Sequence, residues 1–323
     1  MAHELTIRAD GYTEMAFVGK TPWHGLGQEL QQDASLEEWR KAAGMDWEIQ
    51  SAPVRFEPNG QFGDLEVVEN QNVLFRSDNH KPLSVVSKRY KAVQPAEVLE
   101  FFRDLVEDSG FRLHTAGTLF DGKRFWALAE TGRFAEVSEG DGIGGFLLLS
   151  TSADKSLATT ARFTSVRVVC NNTLSMATRS AANVVSFNHT RVFDPEAMKN
   201  KLGEAVAAFD GFMQMAKFLR TQRLSQAAAV DFVKRLTLTK EEFNDTTYDF
   251  TRKRPYKKIM ELFNGGAKGF EMATDTKWGM MNAVTEYFDH HQPSRTDDAR
   301  LNSTWFGHGE SVKSNALEML LTA

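Results

Sequence analysis

Between Asp46 and Ser87 the apolar residues come in short runs broken by Asn, Gly and Pro: Trp47 and Ile49, Val54 and Phe56, residues 65–75, then Leu83, Val85 and Val86. Such spacing predicts strands of an antiparallel meander, with Glu57-Pro58-Asn59-Gly60 as a turn. The period then changes. Pro95 stands at the first position of a helix whose apolar face is Val98, Leu99, Phe102, Leu105 and Val106, and Gly110 ends it. Residues 111–120 and 123–130 read as a hairpin around Asp121-Gly122, and Phe146-Leu147-Leu148-Leu149 as a buried strand. Beyond the Ser152–Lys155 turn, Leu157, Ala161 and Phe163 share one strand face, and Thr160, Arg162 and Thr164 the other, which projects Arg162 away from the core. The alternation changes phase after Phe163, and a bulge is expected there.

The rest of the chain reads as helical. Asp194-Pro195-Glu196 supplies a cap, an N1 proline and a first-turn acid. Met198, Leu202, Ala205, Phe209, Phe212, Ala216 and Leu219 then form a heptad stripe, which packs either on the molecule's own sheet or on a second subunit. Residues 225–236 and 275–291 are further helices. In front of the sheet, residues 1–45 read as an irregular arm with one helix, capped by Ser35 with Glu38 three residues on. The expected fold is α+β: an antiparallel sheet with crossing helices, followed by a long helix and a mainly helical C-terminal part. The expected divisions are residues 1–45, 46–193 and 194–323.

Composition narrows the class. The sequence has 323 residues, a mean hydropathy of -0.39 and no apolar run long enough to span a bilayer, and its start lacks a basic-then-apolar leader. A cytoplasmic protein without membrane contact is expected. The single cysteine, Cys170, excludes an internal disulfide and a cysteine-built zinc site. The net charge of -5 hides an asymmetry, because residues 1–80 hold 14 acids against 6 Lys and Arg. From Lys155 to Phe193 no acid occurs, where an even spread of the 43 acids would put about five.

That acid-free stretch carries Lys155, Arg162, Arg167, Arg179 and Arg191, with Asn171, Asn172 and eleven hydroxyl residues. Fixed cations with hydroxyl and amide donors are what phosphate oxygens require. A polar strand and loop without ligand is the alternative. Arg252, Lys253, Arg254, Tyr256, Lys257 and Lys258 form a second basic cluster, and Lys88, Arg89, Tyr90 and Lys91 a third. Cations around an aromatic suit a groove that follows a nucleic-acid backbone and stacks its bases on Tyr90 and Tyr256; solvated linkers are the alternative. Catalytic signals are lacking: there is no Walker loop, HExxH, G-x-S-x-G or dinucleotide fingerprint. His290 and His291 are adjacent on a helix and point about 100° apart, which is poor for chelation. No catalytic residue, cofactor or metal is expected.

Several motifs occur in order: Thr21-Pro22-Trp23-His24-Gly25-Leu26-Gly27, then Arg167-Val168-Val169-Cys170-Asn171-Asn172-Thr173-Leu174. They are followed by Trp278-Gly279-Met280-Met281-Asn282-Ala283-Val284-Thr285-Glu286-Tyr287 with His290, and by Leu301-Asn302-Ser303-Thr304-Trp305-Phe306-Gly307. Over nearly the whole chain this resembles the phage/plasmid-like protein family, a domain of unknown function found on phages, prophages and plasmids. The predicted architecture also resembles phage single-strand annealing proteins, which assemble as rings or filaments with DNA in a basic groove. The resemblance implies an ATP-independent single-stranded-DNA-binding or annealing protein, working as a homo-oligomer. The alternatives are a factor that binds a host protein through its acidic arm and Trp23, Trp39 and Trp47, and a metal-dependent nuclease using Asp154, Asp194 and Asp210.

Overall fold

A computed structural model describes residue 8 and residues 11–19, 27–58, 63, 65–167, 172–175, 184–187 and 207–322. The order is β1 (Met15–Val18), β2 (Gln28–Leu30), α1 (Leu36–Ala42), β3 (Ile49–Phe56), β4 (Glu66–Arg76), β5 (Pro82–Ser87), α2 (Pro95–Ser109), β6 (Arg112–Leu119), β7 (Arg124–Glu136), β8 (Gly142–Ser152), β9 (Thr159–Arg167), β10 (Asn172–Ser175) and β11 (Val184–Phe187). The helices α3 (Ala207–Thr221), α4 (Gln226–Thr237), α5 (Lys240–Asn244), α6 (Arg254–Glu261), α7 (Lys277–Glu286), α8 (Asp297–Phe306) and α9 (His308–Thr322) follow. The fold is α+β, as the sequence predicts. In the large sheet the order is β10-β9-β8-β7-β6-β1-β2, with β11 also on β9; β3-β4-β5 form a second, antiparallel sheet.

The amino-terminal arm contributes strands that its sequence did not announce. Met15, Ala16 and Phe17 are all buried; β1 pairs antiparallel with β6 and parallel with β2. Three residues are too short a run for alternation to be visible. The hairpin at Asp121-Gly122 forms as expected, with Phe120, Asp121 and Gly122 all at positive φ. Gly122 has a second role, because a Cβ there would lie 2.5 Å from the Trp47 ring.

Both faces of the large sheet are covered. Phe125, Ala127, Leu147, Leu149, Ala161 and Phe163 belong to the main core, which runs from Ala16 to Leu320. On the other face, Met15, Leu119, Trp126, Leu128, Phe146 and Leu148 pack beneath Leu301, Trp305 and Phe306 of α8. This double burial explains the misreading of β9. The bulge expected after Phe163 is absent, since β9 pairs with β8 in continuous register from Ser150↔Thr160 to Ile143↔Arg167. The apparent phase change arises because Val166, on the outer face, is apolar to meet the second cluster.

Phe209, Phe212, Ala216 and Leu219 of α3 are buried in the main core, so this part of the heptad stripe faces the molecule's own sheet and α7. Phe209 lies over Gly145, where a Cβ would come within 2.9 Å of its ring. Met198, Leu202, Ala205 and the helix start at Asp194 lie outside the described residues. Helix α7 is buried on all sides from Met280 to Glu286 and runs into a π-turn, Tyr287–His291. Among the described residues no helix is long and apolar enough to cross a membrane.

Candidate nucleic-acid interface

One member of the acid-free stretch, Lys155, meets the cluster at residues 88–91. Ser84 donates to the main-chain carbonyl of Ala153 (2.6 Å), the Tyr90 hydroxyl to that of Ser152 (2.7 Å), and Lys155 Nζ to that of Val85 (2.8 Å). These bonds fasten the β5–α2 connection to the β8–β9 turn. They bring exposed Lys88, Arg89 and Lys91 alongside exposed Lys155, which adopts a left-handed φ of 66°. Ala153 N–H in turn donates to the Lys123 carbonyl (2.8 Å), adding the β6–β7 hairpin to the same margin. Lys88 and Arg89 have no ion pair among the described residues. Two acids lie nearby: exposed Asp121, paired with Lys81 (3.1 Å), and Asp154, whose pKa burial raises but hydrogen bonds from Ser156 and Ser152 and the charge of Arg124 hold below the ordinary value.

Arg162, Arg252, Lys253 and Lys258 are committed elsewhere. Arg162 does leave the main core, as its strand phase predicts, but the face it enters is covered. Its Nη1 donates to the Trp305 carbonyl (3.2 Å) and pairs with Glu310 (3.3 Å), both side chains being largely buried. In the second cluster Arg252 pairs with Asp249 (2.9 Å), Lys258 with Glu261 (2.7 Å) and Lys253 with Glu242. Arg254 and Lys257 are exposed. This segment is no linker: Pro255 opens α6, which packs on α4 and α7 rather than beside the β8–β9 turn.

Neither tyrosine presents a free platform. Tyr256 is buried edge-on to Phe250 (5.0 Å). Tyr90 is half-buried against the main core, and burial together with Asp154 raises its phenol pKa. The backbone of Arg167 pairs with Ile143 and Asn172 at the sheet edge. The side chains of Arg167 and Asn172 lie outside the description, as do Asn171, Arg179 and Arg191 entirely.

The family-motif residues of α7 are structural. Trp278 Nε1 donates to Asp141 Oδ2 (3.0 Å), both buried, and Asn282 Nδ2 donates to the Trp278 carbonyl (2.9 Å). The His290 carbonyl accepts from Arg300 (3.3 Å). Trp23, His24 and Gly25 lie outside the described residues. Trp39 and Trp47, weighed as partner contacts, are core residues. Asp154 pairs with Ser156 and exposed Asp210 lies 4.0 Å from Arg133, while Asp194 is undescribed. No group of three or more His, Cys, Asp or Glu that could hold a metal occurs among the described residues.

Sequence reasoning missed two buried charge networks. Arg76 donates Nη1 and Nη2 to Glu14 (3.2 and 2.8 Å) and Nε and Nη2 to Asp78 (2.9 and 2.7 Å), lying over Trp47 at 4.2 Å. Lys313, fully buried, pairs with Asp289 (2.7 Å). A carboxylate next to the two histidines, after the buried run of α7, was the available signal for the second.

The sequence profile of one family matches residues 82–305. The chain belongs to this family, Domain of unknown function (DUF932). The DUF932 match begins at β5 and ends within α8, so it contains Lys88, Arg89, Lys155 and the Trp278–Asp141 bond. No curated protein and no solved structure matches the chain.

Proposed function

We propose that this DUF932 protein binds single-stranded DNA through the margin formed by Lys88, Arg89, Lys91, Lys123 and Lys155, and promotes annealing without nucleotide hydrolysis. In this reading it acts in the cytoplasm as a homo-oligomeric recombination factor of a phage or plasmid. The observation that supports it is the joining of two sequence-distant basic segments by hydrogen bonds through Ser84, Tyr90 and Lys155. Several exposed cations on one edge release counterions when a phosphate chain replaces them, which makes binding favourable and salt-dependent. Repetition of the margin in an oligomer multiplies a modest affinity along one strand.

Fluorescence anisotropy with labelled single- and double-stranded oligonucleotides at two salt concentrations tests this. Single-strand binding is expected, with a log–log salt slope of about -0.7 per phosphate neutralised, or about -3 for four contacts. Lys88→Glu with Arg89→Glu should abolish it. Absence of binding at low salt removes the proposal.

A second reading has its own support. Phe56, Leu65, Val67 and Val85 on and beside the small sheet are 43–51% exposed, apolar side chains on both of its faces that fit capture of a host protein. In that case Val67→Lys with Phe56→Ser abolishes partner capture, and Lys88→Glu does not.

A further inference from the structure

The small sheet turns one face away from the core. Directly paired residues share a face. The registers put Gln50, Phe75 and Pro82 in one cross-strand row, Ala52, Val73 and Val85 in the next, and Gln71 and Ser87 in a third. Leu74, Arg76 and Val86, at alternate positions, are buried, so the three rows look outward. None of their residues belongs to the main core or to the cluster beneath α8. Val85 is 43% exposed, and Val73 and Phe75 are half-buried. His80, exposed in the β4–β5 turn at a left-handed φ of 57°, tilts its ring against Phe75 with centroids 6.2 Å apart.

Strand addition is hindered at both edges of this sheet. At β3, Gln94 takes both main-chain groups of Ile49 (2.8 and 3.2 Å), and Pro53 has no N–H to offer. At β5, Lys155 Nζ already occupies the Val85 carbonyl (2.8 Å). The face is what stays open. Lys155 stands at its border, and exposed Lys88 and Arg89 follow directly on the third row. The rows themselves hold no charged residue. Glu57, Glu66 and Glu69 lie beyond them at the β3–β4 hairpin end. At the other end Asp78 is bound to Arg76 and Asp121 to Lys81, and exposed Glu48 precedes β3.

We propose that this face is the base platform of the single-strand site. Phosphates follow Lys155, Lys88 and Arg89 along the β5 edge, and unpaired bases lie on the outward rows, one of them stacked on Phe75 and His80. This rests on the single-strand reading above and adds what its cations lack. A line of cations binds any phosphate chain, paired or unpaired. An apolar sheet face carrying aromatic rings takes bases only when they are splayed out of a duplex. The platform is therefore the source of the preference for single strands. Phe75 is on β4, about 5 Å from β5, which puts it within one nucleotide's reach of the margin. It fills the stacking role expected of Tyr90 and Tyr256, both of which pack into the core.

Fluorescence anisotropy of the full chain tests this with two labelled strands of equal length, oligothymidine and an abasic strand that carries the same phosphates. The wild type should bind the abasic strand at least about fivefold more weakly, at the same salt slope. Phe75→Ala should narrow that ratio and leave the abasic affinity unchanged. His80→Asn, which keeps a residue suited to positive φ and removes the ring, should do the same. Equal wild-type affinity for the two strands overturns the platform and leaves the phosphate margin standing. If Val85→Glu then also dissociates an oligomer in light scattering, the face belongs to a second copy of the chain. An unchanged ratio in His80→Asn overturns the proposal even where Phe75→Ala fails to fold. Binding of neither strand sinks the single-strand reading, and the platform with it.

Discussion

His114 sits on β6 with its ring edge-on to Phe146 (5.4 Å) and Nδ1 within 2.7 Å of the Thr115 hydroxyl. Burial lowers its pKa, only partly opposed by the charge of Glu130. The unfolded chain therefore takes up a proton at a higher pH than the native one. The associated stability is complete above the ordinary histidine value of about 6.5 and is lost as pH falls from there towards the lowered native value. Urea unfolding midpoints across pH 7 to 5 should decline in the wild type, and the decline should flatten in His114→Phe, which keeps the aromatic contact. At this scale the sequence was least informative. Arg76 and Glu14 are 62 positions apart, and nothing local tells either that the other is its partner. The basic clusters were visible by composition, but composition could not say that Arg162 would meet Glu310 or that Tyr256 would be inside.

Elements were easier to read wherever a cap, a proline or a turn marks their ends locally. Helix α2 begins at Pro95 with Val98 and Leu99 of its expected face buried (the side chains of Phe102, Leu105 and Val106 lie outside the described residues), the β6–β7 hairpin follows its turn chemistry, and Ser35 and Ser225 cap α1 and α4 as their side chains permit. Reading failed where both faces are covered, as in β9, or where an element is very short, as in β1 and β2. The hairpin turn also carries a tertiary demand. Gly122 has a φ of 87° and meets the Trp47 ring, which itself supports Arg76. Gly122→Ala should cost about 1–3 kcal/mol through overpacking and strain together, measured as a lower urea midpoint at unchanged m-value. An unchanged midpoint would mean that Trp47 moves aside freely.

For the molecule as a whole, the α+β class and the helical C-terminal part were legible because periodicity is a long-range signal in the chain. The assembly of the parts was not: the main core includes side chains from Ala16 to Leu320, and such closure has no local signature. The joining of the 88–91 segment to Lys155 belongs to the same class, since three hydrogen bonds across the fold create a margin that neither segment has alone.

The Lys313–Asp289 pair crosses a boundary that the family match does not respect. A fragment cut to residues 82–305 would keep Asp289 and discard Lys313, stranding a carboxylate in the interior; it would also keep β5 without β4, its neighbour in the small sheet. Removing one member of a buried pair costs about 3–5 kcal/mol, a large share of the about 5–15 kcal/mol that holds a typical domain together. Such a fragment should show no cooperative melt by circular dichroism under conditions where the 323-residue chain does. The stretch by which relatives are recognised is thus shorter than the stretch that must be inherited intact.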